Sequence, residues 1–245
     1  MTSNSRQAFT IIAHRGDSAH APENTCGAFL QAKKSGARTI EFDVRLTRDL
    51  VPVILHDRTL ERTTNGTGLL HEKMYEEIKH LDAGSWFACE WSAEKIPALD
   101  ETISLLKQLN LHAYVELCPH KSNVLETSEV VLKALNQLWT WEPLPVISSF
   151  NIQCLEYALR HSPQYPRGLL LDKWADNWLQ LATKVRCSGL HLNHKLLTPT
   201  RISKIKNAGY LLYAYTVNNL QQAKKLYEWG VDGIYSDDPN ILHGI

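Results

Sequence analysis

Short apolar, β-branched runs alternate with longer amphipathic stretches along almost the whole chain. The runs Phe9–Ala13, Thr39–Arg45, His112–Leu117, Pro145–Ser149, Arg167–Leu171, Cys187–Leu192, Tyr210–Thr216 and Asp232–Ser236 have the length and apolar density of buried strands. Between most of them, apolar residues recur at helical spacing over Thr25–Ser35, Leu99–Leu109, Asn123–Leu138, Asn151–Arg160, Trp178–Lys184, Pro199–Ala208 and Leu220–Trp229. Thr198 before Pro199 and Asn219 before Leu220 are capping residues, and Gly36, Gly209 and Gly230 stand where helices should end. Eight strands interleaved with helices predict a parallel sheet. At 245 residues a closed (β/α)8 TIM barrel fits best, as one domain spanning residues 1–245. A doubly wound open sheet is the alternative. The eighth helix is missing or very short, because only Pro239–Ile245 follow the last strand.

Val51–His56 breaks the rhythm. It is strand-like but begins only a few residues after Arg45, too soon for the crossover that a parallel neighbour needs. It is expected to form a hairpin with an extension of the second strand, turning near Asp49-Leu50. That register sets Asp43 opposite His56. Residues 57–98, rich in Thr and Gly and then in Trp, read as a small insertion above the barrel mouth.

Composition narrows the function classes. Lys+Arg and Asp+Glu are both 26, a formal net charge of zero, which argues against a nucleic-acid partner. No apolar stretch approaches the ~18 residues of a membrane span. The polar start MTSNSRQAFT has no apolar signal region. Five scattered cysteines without a Cys-x-x-Cys pair predict neither a zinc site nor a disulfide framework, and a cytoplasmic protein with reduced thiols is the simplest reading. The sequence leaves the oligomeric state open.

The chemistry concentrates in the first half. His14-Arg15-Gly16 follows the run FTIIA, at the strand end where barrel enzymes place their reacting groups. A guanidinium beside an imidazole suits an anionic substrate. In Glu41-Phe42-Asp43 a period of two sets both carboxylates on one strand face, where burial is costly without a cation. A hard divalent ion would resolve that cost, as would ion pairs to Arg38, Arg45 or Arg48. His56-Asp57 ends the run VPVIL, and Glu116 sits in the apolar run HAYVEL as the natural third metal ligand. Three carboxylates, two imidazoles and a guanidinium near strand ends are the components of metal-assisted attack on a phosphodiester. Trp86, Trp91 and Tyr215 are either ordinary core or an apolar wall for a leaving group, with Trp86 and Tyr215 favoured for the wall.

Together these segments resemble the glycerophosphodiester phosphodiesterase family over nearly the whole chain. The resemblance rests on HRG at 14–16, Pro22-Glu23-Asn24-Thr25, Glu-x-Asp at 41–43, His-Asp at 56–57, RTTNGTG at 62–68, LDAGSWF at 81–87 and Ile96-Pro97-Ala98-Leu99. Ser148-Ser149-Phe150, Thr216-Val217-Asn218 and Asp232-Gly233-Ile234, with Asp237 and Pro239 beyond, complete it. It implies a barrel with a small insertion after strand two, and looks like the short cytoplasmic bacterial form. It also implies one divalent cation, Mg²⁺ or Ca²⁺, on Glu41, Asp43 and Glu116, and an acid–base pair at His14 and His56 with Arg15 on the phosphate. The implied substrate is a small glycerophosphodiester, split into glycerol 3-phosphate and an alcohol.

Two positions depart from the family pattern. Cys118 stands where the family usually has Lys, and Tyr215 where it usually has Trp. His14 is favoured as base and His56 as acid, with water or the free glycerol hydroxyl as nucleophile. A phosphodiesterase directed at lysophospholipids, entered past Trp86, Phe87 and Trp91, and a barrel that binds phosphodiesters without cleaving them are the alternatives.

Overall fold

The computed structural model describes residues 9–242; the polar stretch before Phe9 and the last three residues lie outside them. Nine strands occur among the described residues: β1 (Thr10–His14), β2 (Thr39–Leu46), β3 (Pro52–Ile54), β4 (His112–Leu117), β5 (Val146–Ser149), β6 (Arg167–Leu171), β7 (Gly189–Asn193), β8 (Leu211–Tyr215) and β9 (Gly233–Ser236). All but β3 are parallel, and β1 pairs with both β9 and β2, so eight strands close into a TIM barrel. The helices are α1 (Cys26–Lys34), α2 (Tyr75–Ile78), α3 (Leu99–Leu109), α4 (Val124–Leu138), α5 (Ile152–His161), α6 (Trp178–Lys184), α7 (Pro199–Asn207) and α8 (Leu220–Glu228). After β9 the described chain forms only a 3₁₀ turn, Pro239–Leu242. None of the described helices is long and apolar enough to cross a membrane.

Period-two alternation divides the strand side chains between two cores. Ile40, Phe42 and Val44 of β2 and Ala113, Val115 and Leu117 of β4 face the helices and join the main cluster. Ile12, Tyr114, Val146, Tyr213 and Tyr235 form a separate cluster inside the barrel. One step further along each strand the inward residues become polar: His14 after Ile12, Glu116 after Tyr114, Ser148 after Val146. The barrel is thus plugged by aromatic rings below and carries its charges above, at the C-terminal ends of the strands. The plug is tightly fitted. Tyr235 Oη and His191 Nδ1 lie 2.6 Å apart, and a Cβ on Gly168 would meet the His191 ring at 2.4 Å.

The hairpin forms, but in a different register from that expected. Val44 pairs with Ile54 and Leu46 with Pro52, so Leu55, not His56, lies opposite Asp43. The Leu55 N–H donates to the Asp43 carbonyl at 3.1 Å. The cause is the loop. Thr47 and Val51 close a three-residue turn whose last member, Leu50, is left-handed at φ 63°, so the hairpin is centred on Asp49 rather than between Asp49 and Leu50. Beyond β3, Leu60, Leu70, Ile78, Ala83 and Ile96 pack on Val53 and Leu55 as a small core of their own.

Candidate active site

At the end of β1 the chain reverses sharply through Arg15 (φ 57°) and Gly16 (φ 85°). The Asp17 N–H donates to the Ala28 carbonyl at 3.1 Å, which draws this turn against α1. A Cβ on Gly16 would stand 2.7 Å from the Ala28 backbone. Gly16→Ala should therefore destabilise the fold by ~1–3 kcal/mol, combining a disfavoured φ with a backbone clash. Chemical denaturation checks this, and an unchanged midpoint would contradict it.

The turn aims the Arg15 N–H at Glu41 Oε2 (3.1 Å) and its guanidinium at Glu23 Oε1 (2.7 Å). Arg15 Nε lies 3.3 Å from Asp43 Oδ2 but, although buried, makes no hydrogen bond. Glu41 and Asp43 point inward from β2, and strand register sets Glu116 beside Asp43. Asp43 and Glu41 are almost wholly buried. Burial pushes the Glu41 carboxyl well above its usual range, and the charges of Asp43 and Glu116 add to this. Glu116 moves up for the same reasons, burial and the Asp43 charge. Burial acts on Asp43 too, but Arg15, His56 and the Asn24 amide at 2.8 Å hold it below its usual range. A hard cation shared among these carboxylates would offset the cost of burying them together. Asp43, Glu116 and Cys118 each present a ligand atom, all within 4.8 Å of one another. Glu41 is not in that tight group.

Both histidines are oriented by carboxylates. His14 Nδ1 lies 2.6 Å from Asp237 Oδ1, and Asp237 is fixed by the Ser18 hydroxyl (3.1 Å) and the Asn218 amide (2.6 Å). Burial raises the Asp237 carboxyl, but the bond to His14 and its charge outweigh that and bring it down to about 2. His56 Nδ1 lies 2.6 Å from Asp57 Oδ1. The Arg62 fork grips Asp57 at 2.6 and 3.0 Å and reaches Glu23 at 2.6 and 2.8 Å, and Glu23 in turn holds Arg15. The Arg62 bonds and His56 keep Asp57 far below the usual carboxylate range. With each Nδ1–H donated to an aspartate, each Nε2 remains for the cavity.

That cavity, of about 290 Å³, is lined by His14, Arg15, Glu41, His56, Glu116 and Tyr215, together with Phe150, Leu170, Asn193, Thr216 and Tyr235. The five polar first-half residues and Tyr215 thus meet at one rim. Asp43 lies just beneath, against Arg15. Trp86 is not among the lining residues; its indole N–H donates to the Ala83 carbonyl at 2.8 Å and its ring packs edge-on against Phe87. Phe150, which lines the cavity, is 48% exposed and stands edge-on to Tyr215 at 6.0 Å.

Sequence reasoning passed over Asp237, Glu23 and Arg62 as site residues. For Asp237 a signal existed. In a closed parallel barrel the last strand lies beside the first, and Ala13 pairs with Ser236, so the next residues, His14 and Asp237, must be neighbours.

The glycerophosphoryl diester phosphodiesterase family model matches residues 14–241. The chain is 35% identical to a glycerophosphodiester phosphodiesterase of Caldanaerobacter subterraneus subsp. tengcongensis over 235 residues, 95% of each sequence. It superposes on the structure of an Oleispira antarctica phosphodiesterase in complex with the product sn-glycerol-3-phosphate with TM-score 0.93 and 37% identity, covering 95% of this chain and 94% of that one. A glycerophosphodiester phosphodiesterase from Agrobacterium tumefaciens matches with TM-score 0.82 and 28% identity, covering 97% of this chain and all of its own.

Proposed function

We infer the reaction from the premise that this chain belongs to the glycerophosphoryl diester phosphodiesterase family and is a phosphodiester hydrolase. On that premise the cavity cleaves glycerophosphodiesters to glycerol 3-phosphate and an alcohol, using one divalent cation and the histidines His14 and His56. The observation that carries this reading is the pair of imidazoles, each bonded through Nδ1 to an aspartate, on one cavity with Arg15, Glu41 and Glu116. The product bound by the Oleispira relative supports the same assignment of substrate.

Glu41, Asp43 and Glu116 would hold the cation, which when bound supplies Lewis-acid neutralisation of the phosphate charge. Mg²⁺ and Ca²⁺ are the ions implied by the family resemblance. Arg15, pinned by Glu23 and Asp43, presents its guanidinium to a non-bridging phosphate oxygen. His14 is the base: Asp237 takes its Nδ1–H, so the Nε2 lone pair accepts a proton from water or from the free glycerol hydroxyl. Attack by that hydroxyl through a cyclic phosphate would gain from proximity. His56, held through Nδ1 by Asp57, gives its Nε2 proton to the departing alkoxide. All five cysteines are free, which suits a reducing compartment such as the cytoplasm.

Asp237→Asn should lower kcat by about 10²–10⁴-fold with little change in KM, because an amide no longer fixes the His14 tautomer. Steady-state kinetics check this, and an unchanged kcat would remove Asp237 from the machinery. The function itself is tested by following glycerol 3-phosphate release from glycerophosphocholine with added Mg²⁺, Ca²⁺ or Co²⁺ in turn, beside a long-chain lysophospholipid. Cleavage of the soluble diester supports the reading. Cleavage of the lysolipid alone, or of neither, overturns it.

A further inference from the structure

We propose that Cys118 is itself a ligand of the divalent ion, so that this site prefers a thiophilic cation of the Zn²⁺, Co²⁺ or Cd²⁺ class to Mg²⁺ or Ca²⁺. This deepens the reading of the catalytic cavity and rests on its being a metal site.

Cys118 Sγ lies 3.1 Å from Glu116 Oε1 and 3.5 Å from Asp43 Oδ1. The three atoms form a group compact enough to share one ion. Glu41, the third ligand expected from sequence, accepts the Arg15 N–H at Oε2 (3.1 Å) and stands outside that compact group, so Cys118 joins the carboxylates as a further donor. A second observation also points to a ligand here. Ser148 is buried, its hydroxyl has no hydrogen-bond partner, and strand register places it directly beside Glu116. Val146, two residues earlier, belongs to the inner cluster, so alternation directs Ser148 into the barrel too. The row Asp43, Glu116, Ser148 therefore ends in a buried hydroxyl with an unmet need, one strand over from Glu116.

Cys118 is buried and sets a sulfur donor directly against both carboxylates. Thiolate discriminates strongly among metals: it favours zinc and its soft neighbours and is a poor ligand for magnesium and calcium. On binding, the sulfur–metal bond forms as the S–H bond breaks and one proton leaves to solvent, with no change of oxidation state.

The test uses purified, metal-stripped full-length protein titrated with Co²⁺ and separately with Cd²⁺, beside Cys118→Ser. We expect a thiolate-to-metal charge-transfer band that saturates with one ion. It should be lost in Cys118→Ser while the weak visible bands of bound Co²⁺ persist, and Cd²⁺ affinity should fall by about tenfold or more. Proton release on Cd²⁺ binding should be larger for wild type than for the variant. Binding of Co²⁺ without the charge-transfer band in wild type overturns the thiolate ligand yet leaves the carboxylate metal site standing. No binding of Co²⁺ or Cd²⁺, with diester cleavage undiminished by chelator, overturns both. The wild-type spectrum decides even if Cys118→Ser folds poorly.

Discussion

His56→Ala should lower kcat for glycerophosphocholine by about 10²–10⁴-fold, the usual contribution of one positioned acid or base. The side chain is 41% exposed at the cavity mouth, so its loss should cost the fold no more than about 0.5 kcal/mol. Any large loss of rate then reports chemistry rather than unfolding. His14→Ala should have an effect of similar size, and the double variant should be little worse than either single one, because residues that act as a unit are not additive. The pH profile separates the roles. Wild-type kcat/KM should be bell-shaped. If His56 is the acid, its removal abolishes the fall at high pH; if His14 is the base, its removal abolishes the fall at low pH. Survival of wild-type rates in either variant would sink the acid–base assignment.

Glu116→Gln should abolish metal-dependent turnover, by at least about a hundredfold, and yet make the metal-free protein more stable. The two effects have one origin. Burial and the Asp43 charge push the Glu116 carboxyl up to about 8 in the folded protein. The unfolded chain ionises it near 4.3. Between those values the folded state binds more protons than the unfolded one, so stability of the metal-free protein falls as pH rises across that interval. The amide carries no such burden. At pH 8 it should raise stability by about 1–2 kcal/mol, or about 2–8 °C in Tm for a chain of this size. Adding the cation should reverse the order, stabilising wild type and leaving the variant unmoved. Thermal melts with and without chelator at two pH values read this directly. A metal-free variant less stable than wild type at pH 8 would contradict it.

Barrel strands and outer helices were legible because each is fixed by a local pattern. Arg167–Leu171, Leu99–Leu109 and Trp178–Lys184 have the ends that their apolar runs predicted. His14, Glu41, Asp43 and Glu116 were legible for a related reason: each is polar within or just after an apolar strand, and in a barrel those strand ends converge. The hairpin register was not legible, because it turns on Leu50 adopting a left-handed conformation that glycine or asparagine would ordinarily signal. The chain Asp57–Arg62–Glu23–Arg15 was hidden because it links segments far apart in sequence through exposed and half-buried side chains. Trp86 lies outside the lining of the cavity and satisfies its own N–H on the Ala83 carbonyl, a local arrangement that nothing in the sequence distinguishes from a pocket wall.

In crystals soaked with Co²⁺ and glycerol 3-phosphate, the ion should lie against Asp43 and Glu116, and the phosphate beside Arg15 with both imidazoles facing it. An ion held instead by the second compact group of ligand-type side chains among the described residues, Asp17, His20 and Asp238, with the phosphate outside the His14–His56 cavity, would contradict this.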